Sequence, residues 1–353
     1  MTKAFYKCDP FNFVPLTRTP WAGTQISQLK RKFFPQYENK IPEQIGESWE
    51  VSTDAQFSSK IEISSNASIY LKELLATNPQ AILGESAFHK YGVHFPLLLK
   101  WLEASDLLSV QLHPANNNPM LKNNECGKPE AWLVFNVINN GFVYLGFKES
   151  LSQEEIIRCL KNDELDKCLH KYFPKKQDYI SVPPGCVHAI GPGVFVAEPQ
   201  YVLPQKIGKT WRISDWRRLY NEQGQKSASG KPRELHVEES LSSINWNLLR
   251  GRDLEKLLIR QVENGKAFYG NENNPFAVQI FNGVGDYEYS HLIPNTFSLF
   301  TVWSGAVTLS TSQETLHLKG GESGFICADT QFTQVKIDSE GAISFFGLND
   351  FYT

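Results

Sequence analysis

The sequence predicts a mainly β protein of the sandwich or barrel class, built as two domains with a helical insertion. Short β-rich runs punctuated by Gly, Pro and Asn recur along the chain. Helical periodicity is confined to a few patches and does not alternate with the strands, which disfavours a parallel strand-helix architecture. At 353 residues the chain exceeds a single core, and one domain per roughly 150 residues gives about two.

In chain order, WEVS, KIEI, LLSVQL, AWLVFNV, FVYLGF, YISVPPG and VFVAEPQYVL read as strands of the larger half. Between them, SLSQEEIIRCLKNDELDKCLHKYF starts with Ser150 or Ser152 ahead of acidic residues and carries Ile156, Ile157, Leu160 and Leu165 at helical spacing. It predicts one or two amphipathic helices over about 150–172. A second helical patch, HVEESLSSINWNLLRG, covers about 236–250 and closes the larger half. After the polar segment ENGKAFYGNENNP the pattern is purely β: FAVQIFNG, SLFTVWSGAVTLS, TLHLKGGESGFI and AISFFGL. The expected domains are therefore 1–265 and 266–353.

Composition narrows the function classes. Against 38 acidic residues stand 35 basic ones, a net charge of -3 with no basic stripe, so nucleic acid is not an expected partner. The N-terminal MTKAFYKCDPFNFVPL carries charge and proline where a secretion signal needs an apolar run, and no stretch approaches the roughly 20 apolar residues of a membrane span. The expectation is a cytoplasmic protein without a membrane partner. Cys8, Cys126, Cys159, Cys168, Cys186 and Cys327 lack C-x-x-C spacing and are expected to be reduced thiols.

Three segments hold candidate chemistry. LSVQLHP ends an apolar run with Gln111 and His113, two apart and hence on one face of a strand. GKPEAWLVF puts Glu130 at the mouth of another strand, and YISVPPGCVHAIG puts His188 just after a Pro-Pro-Gly turn. Two imidazoles, a carboxylate and an amide oxygen form a four-ligand set suited to zinc with room for water or substrate. Each residue alone has a plain structural explanation; the combination favours a metal.

These segments resemble the type I phosphomannose isomerase family. The family's W-x-G, G-E-S/C-W-x-V-S, F-P-L-L-x-K, L-S-x-Q-V-H-P, G-K-x-E-x-W, P-x-G-x-x-H-A and T-Y-R-x-Y-D-W motifs stand here, in order, as WAGTQI, GESWEVS, FPLLLKWLEASDLLSVQLHP, GKPEAW, VPPGCVHAIGPGVFVAEPQ and TWRISDW. RELHVEESL resembles the segment that follows in the shorter bacterial members. The resemblance implies two jelly-roll-like, cupin-type β-sandwich barrels with a helical insertion, the second cupin degenerate. It also implies interconversion of mannose 6-phosphate and fructose 6-phosphate with one zinc ion.

Carried onto matching positions, the resemblance makes Gln111, His113, Glu130 and His188 the metal set. It places Arg212, Glu198 and Lys128 in the catalytic group, and Lys100, Glu47, Trp21 and Asp215 at the substrate. Lys100 and Lys128 are the candidates for meeting the remote phosphate, and the sequence leaves the base open between Glu198 and Glu47. Two departures surround the arginine: Gly208 stands where the shorter members carry aspartate, and Ser214 where they carry tyrosine. These leave room for an isomerase acting on another sugar phosphate, or for a non-catalytic sugar-sensing or carbohydrate-binding cupin.

Overall fold

Along most strands of the larger half, alternate side chains enter two different cores, and this period-two division organises the molecule. The computed structural model describes residues 3–64, 67–271 and 274–349. Four principal antiparallel sheets are stacked as successive layers. The outermost carries Val110–Leu112, Val143–Phe147, Leu169–Tyr172, His188–Ile190 and Trp211–Ser214. Facing it is a six-stranded sheet of Glu47–Val51, Leu97–Glu103, Glu130–Val137, Asp178–Val182, Val194–Tyr201 and Ile259–Gln261. Trp132, Val134, Leu145, Val182, Ile190 and Val196 fill the space between these two.

The six-stranded sheet turns its other face to a second sandwich. Leu97, Leu99, Trp101, Leu133, Phe135 and Ala197 pack there against Phe276, Val278, Leu299, Phe325 and Phe346. The second sandwich pairs a six-stranded sheet, which includes Phe276–Asn282, Ser298–Ser304, Ser323–Ile326 and Ala342–Leu348, with a four-stranded one, which includes Ala306–Ser310 and Thr333–Ile337. Its own core holds Phe300, Val302, Leu309, Val335 and Phe345.

The division at 265/266 falls between Ile259–Gln261 and Ala267–Tyr269, yet the halves share structure. Phe5–Lys7 pairs antiparallel with Ser323–Ile326, so the start of the chain forms an edge of the later sheet. The buried Lys30 ammonium lies 2.9 Å from Glu50 and 2.7 Å from the Gly321 carbonyl, and the Ser323 hydroxyl donates to Glu50 at 2.6 Å. Residues 272 and 273 of the polar segment lie outside the described residues.

The helical expectations need two corrections. Gln153–Lys161 is a helix in which Ser152 and Glu155 form a reciprocal cap, but Leu169–Tyr172 is a strand, and Leu169 joins the core between the outer sheet and that helix. The later patch is helical only over Val237–Ser243, and a further helix follows at Gly251–Leu258. Unanticipated helices occupy Gln25–Phe33 and the three short pieces Leu71–Thr77, Pro79–Leu83 and Glu85–Tyr91.

Candidate active site

Alternation delivers the site. On the six-stranded sheet, Trp49, Lys100 and Glu198 are cross-strand neighbours in one row, and Glu130 and Gln200 are neighbours in the next. On the facing sheet Gln111 is opposite both His188 and Arg212. Two convergent turns complete the set. The Gly185 N–H donates to the His113 carbonyl at 2.8 Å, tying the end of one ligand strand to the Pro-Pro-Gly turn that leads to His188. A Cβ on Gly185, whose φ is +78°, would lie 2.6 Å from the Ser243 carbonyl oxygen, so glycine is needed there.

One ligand atom from each of His113, Glu130 and His188 lies within 4.8 Å of the others, and all three side chains are buried. His113 Nδ1 is 3.0 Å from the Lys209 carbonyl and His188 Nδ1 is 2.9 Å from the Cys186 carbonyl. A carbonyl only accepts, so each Nδ1 carries the proton and each Nε2 presents a lone pair. Those Nε2 atoms lie 3.0 and 3.3 Å from the Glu130 oxygens without hydrogen-bond geometry, and both are buried without a hydrogen-bond partner. Lone pairs converging on a carboxylate repel unless a cation sits between them, and the backbone carbonyls behind each ring are the usual orienting partners of a metal-binding histidine. The residues therefore fit a divalent metal, and Gln111 lines the cleft together with Glu130. Burial depresses His113 to about 4, helped by the Lys128 ammonium, which keeps the ring neutral and able to ligate. Burial would raise Glu130, but the Lys128 ammonium beside it helps to hold its carboxyl well below the ordinary range.

Above the triad opens a cleft of about 430 Å³ lined by Trp21, Glu47, Lys100, Gln111, Lys128, Glu130, Glu198 and Arg212 among others. Lys128 Nζ is 3.3 Å from Glu130, and Lys100 Nζ is 3.8 Å from Glu47 and 4.2 Å from the centre of the Trp49 ring. Gln200 donates to Glu130 at 3.0 Å and also to Glu198, linking the metal ligand to the candidate base. Burial, reinforced by Glu130, pushes the Glu198 carboxyl well above its usual range despite Lys100 and Lys128. Arg212 is fixed by its backbone, which accepts from and donates to His236, and by Nη1 donating to the Glu234 carbonyl at 3.0 Å.

The structure separates other candidates from the cleft. Asp215 does not line it; it binds Arg218 and Arg233, and Arg233 does line it. Ser214 donates to Asp163 at 2.5 Å, and Lys209 pairs with Glu125 at 2.8 Å. Neither of the two departures around the arginine lines the cleft, and the register is irregular between Arg212 and Ser214. A Cβ on Gly208 would lie 3.2 Å from the Lys128 stem and 2.9 Å from Val202, so the lysine chain abuts the position where aspartate was expected. Arg18, Arg233 and Gln200 line the cleft without having been singled out; Gln200, two residues beyond Glu198 on one strand, was accessible from alternation. All six cysteines are buried and free.

Residues 18–130 match the model of the phosphomannose isomerase type I catalytic domain. The mannose-6-phosphate isomerase of Bacillus subtilis is 30% identical over 239 residues, which cover 67% of this chain and 68% of that one. The chain belongs to the type I phosphomannose isomerase family. The Streptococcus mutans mannose-6-phosphate isomerase is 32% identical, and the match spans 64% of each chain. In three dimensions the family fold extends over nearly the whole molecule. A crystal structure of the Bacillus subtilis mannose 6-phosphate isomerase superimposes with a TM-score of 0.75 at 22% identity, covering 98% of this chain and all of that one. A zinc-bound holo mannose 6-phosphate isomerase shares the fold with a TM-score of 0.69 at 16% identity, covering 98% of this chain.

Proposed function

We propose that the chain interconverts mannose 6-phosphate and fructose 6-phosphate with one zinc ion held by Gln111, His113, Glu130 and His188. The observation that carries the reading is the pair of buried imidazole lone pairs aimed at Glu130 beneath a cation-lined cleft, in a member of this family. Zinc, when bound, supplies a Lewis acid able to polarise the oxygen of a sugar carbonyl or hydroxyl.

The remaining work falls to side chains. Aldose-ketose exchange moves a proton between adjacent carbons through an enediol whose oxygens gain negative charge, so the cleft must supply a base and fixed positive charge. Glu198, in the row with Lys100 and bonded to Gln200, would move the proton. Arg212 supplies a cation held by its own strand, and Lys128, next to Glu130, adds charge at the reacting end. The walls of Trp21 and Trp49 give the sugar ring apolar contact. Among the described residues no helix is long and apolar enough to cross a membrane, and action in the cytoplasm on a small sugar phosphate accords with this.

The test is a coupled assay on purified protein before chelation, after chelation and after zinc is restored. Activity on mannose 6-phosphate should vanish and return. A folded, zinc-loaded protein without turnover would sink the assignment. A second reading keeps the fold and the metal but assigns another sugar phosphate, favoured by Gly208 beside Lys128. Strong preference for mannose 6-phosphate across a substrate panel would exclude it.

A further inference from the structure

The geometry points to Arg233 as the residue that seats the substrate's phosphate, with Asp215 as its positioning residue. This rests on the sugar-phosphate reading above. It moves the phosphate away from the lysines and toward the guanidinium end of the cleft.

The charge arrangement supports the choice. Five cations line the cleft: Arg18, Lys100, Lys128, Arg212 and Arg233. The two lysines have carboxylates beside them, Lys128 at 3.3 Å from Glu130 and Lys100 at 3.8 Å from Glu47. Among the described residues neither Arg18 nor Arg212 has a carboxylate within ion-pair distance, and Arg212 Nε is buried without a hydrogen-bond partner. Arg233, Arg218 and Lys226 share, among the described residues, only the carboxylates of Asp215 and Asp106, so that cluster keeps a net positive charge, and with Arg18 and Arg212 on the same cleft a dianion meets planar donors that remain charged at neutral pH.

Arg233 is the most firmly aimed of them. Its Nε donates to Asp215 Oδ2 at 2.6 Å and its Nη2 to Oδ1 at 2.7 Å, and its guanidinium carbon sits 5.0 Å from the centre of the Tyr220 ring. This two-point fork fixes the guanidinium plane. Asp215 is itself immobilised: it is buried, and Arg218 binds Oδ1 at 2.7 Å while anchoring to the Leu107 carbonyl at the same distance. The turn that brings Arg218 back places Trp216 and Arg217 at φ of +59° and +57°, left-handed conformations that non-glycine residues adopt rarely. Such strain persists where the surroundings over-determine it. The turn at Gly224 abuts the Thr17 backbone so closely that a Cβ would lie 2.4 Å from the Thr17 carbonyl oxygen, which ties the segment bearing Arg18 to the hairpin that precedes Arg233. Binding energy from the distal phosphate would then hold the sugar carbons over the metal triad.

The experiment compares zinc-loaded wild type, Arg233→Ala, Arg233→Lys and Asp215→Asn. Each is assayed for kcat and KM with mannose 6-phosphate and, by calorimetry, for the dissociation constant of inorganic phosphate. Arg233→Ala should raise KM and the phosphate dissociation constant by about tenfold to a hundredfold, the effect of one lost charge-assisted contact, with the loss falling mainly on KM. Arg233→Lys should recover part of it as a point charge, and Asp215→Asn should move both values in the same direction by less. Circular dichroism confirms folding, and Arg233→Lys carries the comparison if Arg233→Ala does not fold. A phosphate dissociation constant within twofold of wild type in the folded variants, or no phosphate binding by wild type, overturns the assignment. If wild type binds phosphate but does not turn over mannose 6-phosphate, and Arg233→Ala still weakens that binding, the phosphate seat stands and the isomerase reading falls.

Discussion

Glu103 offers a stability test whose size follows from its surroundings. It ends the strand Leu97–Glu103, is buried, and accepts the Gln25 N–H at 3.0 Å at the start of the helix Gln25–Phe33. Its carboxyl fills the space over Gly23, where a Cβ would lie 1.8 Å from Oε1. Burial pushes it up from 4.5 to about 7, against the opposing bonds from Gln25. The folded protein therefore holds this proton where the unfolded chain has released it, and stability falls as pH rises through the window from 4.5 to about 7. Each pH unit of displacement is worth about 1.4 kcal/mol, so the full cost above that window is about 3 kcal/mol, of which about 2.5 kcal/mol develops between about pH 5 and about pH 8. Glu103→Gln keeps an acceptor for Gln25 and removes the proton equilibrium. Urea denaturation of both zinc-loaded proteins at those two pH values should show the variant gaining about 2.5 kcal/mol relative to wild type as pH rises. A stability difference that stays constant with pH would refute the reasoning.

Further expectations concern the site and its supports. Glu130→Gln removes the carboxylate between the two imidazoles, and bound zinc measured by atomic emission should fall at least about tenfold, with activity lost in parallel. Lys30→Met leaves Glu50 buried without its cation and should cost about 3 to 5 kcal/mol in urea denaturation, whereas a loss below about 1 kcal/mol would deny the pair a role. Gly208→Asp introduces atoms against the Lys128 stem and Val202 and should lower kcat several-fold; an unchanged rate would show that the lysine yields without consequence. Ser214→Ala removes the bond to Asp163, so about 1 kcal/mol of stability should be lost while KM stays at the wild-type value.

Residue periodicity made much of the site legible. Glu198 and Gln200 share a face with Val196, and Gln111 faces the cleft while Val110 and Leu112 on either side turn to the core between the outer sheet and its covering helices, so alternation alone sorts cleft from core. The residues of the metal triad come from segments whose turns carry their own marks, such as Pro183-Pro184-Gly185 ahead of His188. What stayed hidden depends on contacts distant in sequence. Arg233 reaches the cleft only because Asp215, Arg218 and a hairpin fold back around it, and nothing within a few residues of it signals this. Phe5–Lys7 joins a strand more than three hundred residues later, which no local pattern encodes. The segment 71–91 hid its helices because Asn78-Pro79 and Gly84 cut the apolar spacing into pieces too short to establish a period. Ser214 bears on the substrate only if its nearness to Arg212 in sequence is nearness in space, and the irregular register between these two positions carries it elsewhere.

The sheet that carries Lys100, Glu130 and Glu198 is packed on both faces along its central strands. Trp101, the immediate neighbour of Lys100, donates from Nε1 to Thr301 at 3.0 Å, and Phe135 stacks on Trp303 at 4.8 Å on the reverse of the strand that begins with Glu130. The C-terminal sandwich thus acts as the backing plate of the catalytic surface. Substitutions there can tilt ligands they never touch, and a chain shortened to its first 265 residues would present that reverse face as bare hydrocarbon to water.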